Sequence, residues 1–234
     1  MSPRFDFAAA RRQMVEQQLR TQAIHDPRIF EIFARLPREE FTPAALRTLA
    51  YAELEVPLGH GASMDRPSYL GAVLDAVRPA AGERVLEVGT GSGYLSACLG
   101  ALGATVHSVE IEPTLVARAR RVLAAVVPET SVTVETDDLH TWGGPGEIYD
   151  VVVLGGSLPK ADPSFLHALR PGGRLLAVLG HPPLMTARLF VRARAGEGAS
   201  ARALFETSLP PLRGLPSPRG RAPSPARTTE LGLS

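Results

Sequence analysis

The sequence predicts an α/β protein built on a mostly parallel, doubly wound sheet. From residue 84 onward, short apolar runs rich in valine alternate with segments of helical periodicity, which is typical of βαβ units. The run over 150–154 is nearly all valine and leucine, as expected of a strand buried on both faces. A glycine-rich turn directly follows the run over 84–88, where sheets of this kind bind their ligands.

The first eighty residues are predicted to be largely helical. Residues 8–20 carry a partial apolar stripe at helical spacing. Asp26 followed by Pro27 is a helix start signal, because the aspartate can cap the first turn and proline suits its first position. Further helices are expected over 44–50 and 68–77, and the glycines and prolines between them predict a loop over 56–67.

The remaining pattern gives the elements of the sheet in order. The predicted strands lie at 84–88, 105–109, 132–135, 150–154, 174–179, 187–194 and 201–209. Helices are expected after the glycine turn and over 113–126 and 163–169. The last two strands are joined by Ala195-Gly196-Glu197-Gly198, a spacing that suits a hairpin at the sheet edge.

The turn after the first of these strands indicates the kind of ligand. It places Gly89, Gly91 and Gly93 behind a carboxylate, Glu87. A dinucleotide fingerprint, Gly-x-Gly-x-x-Gly, would need glycine at 94, where this chain has tyrosine. Glu87 would repel a pyrophosphate but suits a ligand with positive charge and hydroxyl groups, such as S-adenosylmethionine. The spacing Glu-x-Gly-x-Gly-x-Gly resembles motif I of the class I methyltransferases.

Four strand ends carry glycine or acidic residues that fit this cofactor. Because the carboxyl ends of parallel strands meet at one edge of the sheet, these residues are expected to face a common ligand. We expect Glu110 to accept the ribose hydroxyls, Asp138 to accept from the adenine amino group, and Gly155 to let the backbone approach the methionine part. A glycine-rich turn without a ligand is the alternative, and the four strand ends together disfavour it. The predicted cofactor-binding residues are Glu87, Gly89, Thr90, Gly91, Ser92, Gly93, Glu110, Ile111, Asp138, Leu139 and Gly155.

Beyond motif I, the chain resembles the protein-L-isoaspartate O-methyltransferases from about residue 12 to residue 209. The helical N-terminus together with the Gly-His-Gly loop is the more specific part of the resemblance. The segments that carry it are Met14-Val15-Glu16-Gln17-Gln18-Leu19, Asp26-Pro27-Arg28, Pro37-Arg38-Glu39-Glu40-Phe41-Thr42-Pro43, Leu49-Ala50-Tyr51, Pro57-Leu58-Gly59-His60-Gly61 and Leu169-Arg170-Pro171-Gly172-Gly173-Arg174-Leu175.

The resemblance implies a class I methyltransferase sheet of order 3-2-1-4-5-7-6, with strand 7 antiparallel. It also implies methyl transfer from S-adenosylmethionine to the carboxylate of L-isoaspartyl residues in damaged proteins, which is a repair reaction. Residues 1–80 are expected to form a helical extension with the acceptor loop, 81–212 the cofactor-binding domain, and 213–234 a disordered tail rich in proline and arginine.

The acceptor loop departs from the family pattern. The family usually reads Gly-Gln-Thr-Ile-Ser-x-Pro after its Gly-His, whereas this chain reads Gly61-Ala62-Ser63-Met64-Asp65-Arg66-Pro67. Ser63 keeps a hydroxyl, while Asp65 stands where the family serine is assigned an active-site role. An anionic Asp65 would repel a carboxylate substrate unless Arg66 pairs with it or the loop points elsewhere. Ser63 and Asp65 are the candidate catalytic residues.

The chemistry agrees with what the sequence lacks. A carboxylate acceptor is already ionised at pH 7, so no general base is needed, and positioning and desolvation can suffice. The six histidines show no metal-ligand spacing, so no metal is expected. A net charge of +1, one cysteine and no long apolar segment lead us to expect a cytoplasmic monomer that binds neither nucleic acid nor membrane.

Three other functions stay open beside isoaspartyl methylation. The chain could methylate a different acceptor, with Asp65 as a base or as a contact to a cationic substrate. It could bind the cofactor without transferring methyl groups. A nicotinamide dehydrogenase is disfavoured by Glu87 and by the glycine spacing.

Overall fold

A seven-stranded sheet forms the centre of the computed structural model, which describes residues 5–137, 146, 148–194 and 198–214. The helices are α1 (Phe7–Met14), α2 (Pro27–Arg35), α3 (Pro67–Val77), α4 (Tyr94–Ala101), α5 (Pro113–Val126) and α6 (Pro163–His167). The strands are β1 (Val56–Gly59), β2 (Ala62–Met64), β3 (Arg84–Val88), β4 (Thr105–Glu110), β5 (Val132–Thr136), β6 (Tyr149–Leu158), β7 (Leu169–His181), β8 (Leu184–Arg192) and β9 (Ala199–Glu206). One π-helical turn (Val15–Leu19) continues α1, and two 3-10 helices (Arg38–Phe41 and Ala44–Leu49) follow α2.

The sheet confirms the predicted α/β class. Its order is β5-β4-β3-β6-β7-β8-β9, and the strands from β3 to β7 pair in parallel. Counted from β3 as the first strand, this order is 3-2-1-4-5-6-7. The five parallel strands therefore lie in the predicted order, with β3 beside both β4 and β6 at the point where the chain reverses direction across the sheet.

The predicted order of the last two strands is wrong. β8 pairs antiparallel with β7, and β9 pairs antiparallel with β8 at the edge. Only Pro182 and Pro183 separate β7 from β8, with His181 opposite Leu184. Two residues cannot make the crossover that a parallel strand needs, so the chain must turn back on its neighbour. The edge pairing expected from the residues around 195–198 is confirmed, although 195–197 lie outside the described residues.

Each face of the sheet is covered by its own apolar cluster. Successive residues of β3 point to opposite faces, so Val85 belongs to the larger cluster and Leu86 to the smaller one. The larger cluster packs α1 to α5 against the sheet, and the smaller one holds α6 through Phe165. The N-terminal helices thus share a core with β3–β7. The division proposed at residue 80 stays a prediction, and so does the tail predicted over 213–234, of which 215–234 lie outside the described residues.

Local signals account for most helix ends. Asp26 accepts a hydrogen bond from the amide of Arg28 at 3.0 Å, and Pro27 opens α2, as predicted. Residues 56–67 were expected to form a loop, and this is wrong, because β1 and β2 form a hairpin there. His60 and Gly61 both have positive φ, 53° and 72°, as a tight hairpin turn requires at its two central positions.

Candidate active site

One pocket opens where β3, β4 and β6 end. It is concave and partly open to solvent, and about 960 Å³ of space that holds no protein atoms, solvent-open space included, lies within it. Among its lining residues we define three groups. The glycine wall consists of Glu87–Ser92, Glu110 and Gly155, the hairpin wall of Gly61–Asp65, and the C-terminal segment of Pro210–Arg213.

The glycine wall brings bare backbone to the pocket. Gly89 has φ of 93°, which a residue with a Cβ rarely adopts. Gly155 lies directly beside it, and a Cβ added at Gly155 would stand 2.7 Å from the carbonyl oxygen of Gly89. A side chain at Gly155 would clash with the backbone of Gly89, and one at Gly89 would be strained by the positive φ, so glycine is favoured at both positions.

Glu87 lies beneath the glycine turn in a network of hydroxyl groups. Its Oε2 accepts hydrogen bonds from Ser108 Oγ at 2.7 Å and from Ser96 Oγ. The hydroxyls of Thr90 and Ser108 are 2.6 Å apart, which ties the turn to β4. Burial raises the pKa of Glu87 to about 7, although the two serine hydroxyls act to lower it. A carboxyl group with this pKa changes its charge near neutral pH, and Glu87 is one of the residues that line the pocket.

Glu110 ends β4 and fixes the shape of the glycine turn. Its Oε2 accepts from the amide of Gly91 at 2.9 Å, and its Oε1 accepts from the amide of Glu112 at 3.1 Å. The side chain is buried, and Arg213 Nη2 approaches Oε1 to 3.8 Å. Glu110 therefore stands next to the glycine turn, and its predicted role in binding the ribose hydroxyls stays a prediction.

The other predicted cofactor residues divide into three groups. Thr90, Ser92 and Ile111 line the pocket together with the glycines at 89, 91 and 155. Gly93 does not line the pocket. It packs against Ala119 instead, and a Cβ added at Gly93 would lie 3.2 Å from the Cβ of Ala119. Asp138 and Leu139 lie outside the described residues. Their neighbour Asp137 lines the pocket and donates its amide to the carbonyl of Glu110 at 3.2 Å.

The hairpin wall holds the two candidate catalytic residues. Ser63 donates its hydroxyl to Glu55 at 3.3 Å, and Asp65 presents a half-buried carboxyl group to the pocket. Burial first, and then the charge of Glu55, raise the pKa of Asp65 to about 7.

The suggested pairing of Asp65 with Arg66 is not found. Arg66 instead pairs with Glu53, with Nε and Oε1 3.6 Å apart. In the described part of the chain, the Asp65 carboxyl group makes no hydrogen bond or ion pair. It is therefore free to meet a ligand.

Two contributors to the site escaped the sequence reasoning. Arg38 is fully buried and donates through Nη2 to the carbonyl oxygen of Asp65. The C-terminal segment runs over the pocket, where Ser157 binds it through main-chain hydrogen bonds to Pro210 and Leu212, both 2.9 Å. Arg213 then donates to the carbonyl of His60 at 2.8 Å. The sequence analysis assigns 210–212 to the end of the cofactor-binding domain and 213 to the tail, and nothing in the composition there indicates contact with the pocket.

The described residues contain neither a metal-binding cluster nor a membrane-spanning helix. No group of three or more histidine, cysteine, aspartate or glutamate side chains is arranged there to hold a metal ion. Within the same residues, no helix has the length and apolar character needed to cross a bilayer. Cys98, the one cysteine of the chain, is buried, and burial raises its pKa to about 12, so it has little thiolate character.

Comparisons with known proteins agree with this geometry. The chain is 35% identical to a protein-L-isoaspartate O-methyltransferase of Koribacter versatilis over 94% of its own length and 96% of that protein. It is also 35% identical to one from Myxococcus xanthus, over 86% of this chain and 96% of the other. The fold matches a Plasmodium falciparum crystal structure described as a beta-aspartate methyltransferase (PCMT) in complex with S-adenosyl-L-homocysteine, with a TM-score of 0.74, 17% identity, and 91% and 100% of the two chains covered.

The family model confirms the resemblance over most of the chain. The model of the protein-L-isoaspartate(D-aspartate) O-methyltransferases matches residues 9–203. This range includes β3 to β8, the hairpin wall and the glycine wall. Identity above 30% with relatives that are covered nearly end to end points the same way. The chain therefore belongs to the protein-L-isoaspartate(D-aspartate) O-methyltransferase family and is a methyltransferase of that type.

Proposed function

We propose that this protein methylates the carboxylate of L-isoaspartyl residues in damaged proteins, with S-adenosylmethionine as methyl donor. The observation that carries the proposal is that one pocket joins the glycine wall to the hairpin wall, so a cofactor and an acceptor can meet inside it. Family membership supports the same reaction. When bound, S-adenosylmethionine supplies a methyl group made electrophilic by its sulfonium.

The glycine wall suits this cofactor. A carboxylate at the end of β4, Glu110, faces the pocket and can accept ribose hydroxyls. The close approach of Gly155 to Gly89 leaves backbone, and no side chain, beside the ligand. Glu87 offers negative charge to a cationic ligand when it is ionised. We assign these residues to cofactor binding, in line with the S-adenosyl-L-homocysteine described in the P. falciparum structure.

The hairpin wall suits the acceptor. A carboxylate acceptor needs no base to remove a proton, so the wall has only to position it and exclude water. A protonated Asp65 can donate a hydrogen bond to an acceptor carboxylate, whereas an ionised Asp65 repels it. With a pKa of about 7, Asp65 changes between these two roles near neutral pH. We assign Asp65 and Ser63 to acceptor binding on this basis.

The test is methyl transfer from labelled S-adenosylmethionine to a short L-isoaspartyl peptide. The same peptide with normal aspartate serves as the control. Transfer to the isoaspartyl peptide alone is the expected result. If calorimetry detects cofactor binding but neither peptide is labelled, isoaspartyl methylation is rejected, and a cofactor-binding protein without this activity becomes the better description.

A second candidate function is methylation of a cationic acceptor. Asp65 favours it, together with Glu55, whose carboxylate lies 3.3 Å from Ser63 Oγ. Two acidic groups next to the pocket would attract a positively charged substrate and repel a negative one. Labelling of a lysine-rich peptide, with none of the isoaspartyl peptide, would favour this second function.

We also infer that the protein acts as a cytoplasmic monomer on protein substrates and binds no nucleic acid. A net charge of +1 gives no strong field for nucleic acid or anionic membranes. A single buried cysteine is typical of a reducing compartment. Size-exclusion chromatography with light scattering tests the oligomeric state.

A further inference from the structure

Arg38 is a fully buried arginine whose guanidinium is only partly satisfied. Its Nε donates to the carbonyl oxygen of Ala50 at 2.7 Å, and its Nη2 donates to the carbonyl oxygen of Asp65. Its Nη1 is buried and has no hydrogen-bond partner. Burial lowers the pKa of Arg38, so the protein keeps this cation in an unfavourable place.

No carboxylate in the described part of the chain forms an ion pair with Arg38. Neighbouring acids are bound elsewhere. Glu39 pairs with Arg11 at 2.9 Å, and Glu53 is held by Ser68 and Arg66. A buried charge without a paired anion is costly, because burial removes much of its solvation. The positive charge is therefore available to an anion that arrives nearby.

The position of Arg38 identifies where such an anion would feel it. Arg38 does not line the pocket, but two residues that touch it do. Its Cζ lies 4.9 Å from the centre of the Tyr94 ring, and its Nη2 holds the main chain of Asp65. The cation thus lies directly behind the junction of the hairpin wall with α4, in a medium that screens charge poorly.

We propose that Arg38 is a positioning residue for the methyl acceptor, which it serves by fixing the main chain at Asp65 and by supplying positive potential behind the hairpin wall. The inference rests on the proposed function, since it requires an anionic acceptor. It explains how a carboxylate acceptor is tolerated next to Asp65 and Glu55. The shift of the Asp65 pKa agrees, because Arg38 and Arg66 act to lower a pKa that burial and Glu55 raise.

The test compares Arg38→Gln with the wild type in two assays. The first is the KM for an L-isoaspartyl peptide, whose carboxylate is anionic. The second is the inhibition constant of the methyl ester of the same peptide, which is the neutral product. We expect Arg38→Gln to raise the KM about tenfold and to change the inhibition constant of the ester and the Kd of the cofactor by less than about twofold. A purely structural role would weaken peptide and ester alike, and equal losses overturn the proposal.

Arg118→Gln is the matched control. Like Arg38, Arg118 donates to a main-chain carbonyl, that of Phe41 at 2.9 Å. It is partly buried and does not line the pocket. We expect its ratio of peptide KM to ester inhibition constant to equal that of the wild type. If that ratio shifts as far as in Arg38→Gln, the effect is not specific to Arg38 and the proposal fails.

Arg38→Lys serves if the glutamine variant does not fold. Lysine keeps the charge but cannot reach two carbonyls with a planar group. We therefore expect a lower kcat with the KM ratio unchanged, whereas a raised ratio with normal kcat overturns the proposal. Wild-type enzyme that labels no isoaspartyl peptide would reject the proposed function, and this inference with it. Active wild type with an unchanged ratio in Arg38→Gln rejects only the role of Arg38.

Discussion

Glu87 is a buried carboxyl group and Asp65 a half-buried one, and they lie on different walls of one pocket. Under the proposed function they respond to pH in opposite senses. Burial raises the pKa of each to about 7. Glu87 is held by two serine hydroxyls, whereas Asp65 has only charges around it. If Glu87 contacts the cofactor and Asp65 the acceptor, as proposed, a rise of pH through 7 makes Glu87 a better partner for a cationic cofactor and Asp65 a worse one for an anionic acceptor.

The largest effect is expected for a substitution of Glu110 in the glycine wall, which leaves the hairpin wall unchanged. Glu110→Ala deletes the acceptor proposed for the ribose hydroxyls and frees the amides of Gly91 and Glu112. Hydrogen bonds to a charged group contribute about 1.5–3 kcal/mol each, so we expect the cofactor Kd to rise about 100-fold. Titration calorimetry measures it.

Glu135→Ala provides the control for that variant. Glu135 lies on the neighbouring strand β5 and pairs with His107 at 3.2 Å, outside the pocket. It should leave the cofactor Kd unchanged. A normal Kd in Glu110→Ala would mean that the glycine wall does not bind the ribose, and the comparison between the walls would collapse.

The next effect concerns the hairpin wall. Asp65 is mostly ionised above pH 7 and mostly protonated below it, because its pKa is about 7. Asp65→Ser removes the repulsion present at pH 8 and restores a hydroxyl. We expect the KM for an isoaspartyl peptide to fall about tenfold at pH 8 and by less than about twofold at pH 6. Steady-state kinetics at both pH values checks this. A KM that rises at pH 8 would mean that Asp65 binds a cationic acceptor.

The two walls also differ in how well the sequence predicts them. The glycine wall depends on residues close in the chain, from Glu87 to Ser92, whose spacing reports the turn directly. Glu110 and Gly155 follow because parallel strands end at the same edge of the sheet. Gly93 shares the positive φ of the other two glycines but packs against Ala119 and does not line the pocket, so its assignment to the cofactor stays a prediction.

The hairpin wall depends on contacts between distant residues, which a single sequence does not report. Arg38 meets Asp65 across 27 positions, and Arg213 meets His60 across 153. The positive φ of His60 makes a tight turn where glycine and proline content suggested only a loop. The predicted order of the last two strands was wrong for another reason. The strands predicted at 174–179 and 187–194 leave a seven-residue link, whereas β7 and β8 extend into it and leave only Pro182 and Pro183, and the strand order came from the family resemblance.

The third prediction tests the opposite pH response of the glycine wall. Glu87 becomes protonated as the pH falls through about 7, so its negative charge is lost there. We expect the Kd of S-adenosylmethionine to be about fivefold higher at pH 6 than at pH 8, and Glu87→Gln to remove most of that difference. Calorimetry at the two pH values measures this, with the Asp65→Ser variant as the control that should keep the dependence. A flat profile in the wild type would separate Glu87 from cofactor binding.

The smallest effect concerns the C-terminal segment, which contacts both walls. Arg213 donates to His60 next to the hairpin wall and approaches Glu110 on the glycine wall to 3.8 Å, yet its side chain is 42% exposed. Contacts of such exposed charges contribute little, so Arg213→Ala should raise the cofactor Kd by only about twofold. Arg170→Ala is the matched control, because Arg170 is 45% exposed and pairs with Asp150 at 3.2 Å away from the pocket. A tighter cofactor in Arg213→Ala would show instead that Arg213 competes with the ligand for Glu110. The C-terminal segment would then oppose cofactor binding, whereas the expected result means that it connects the two walls and stabilises the bound cofactor only weakly.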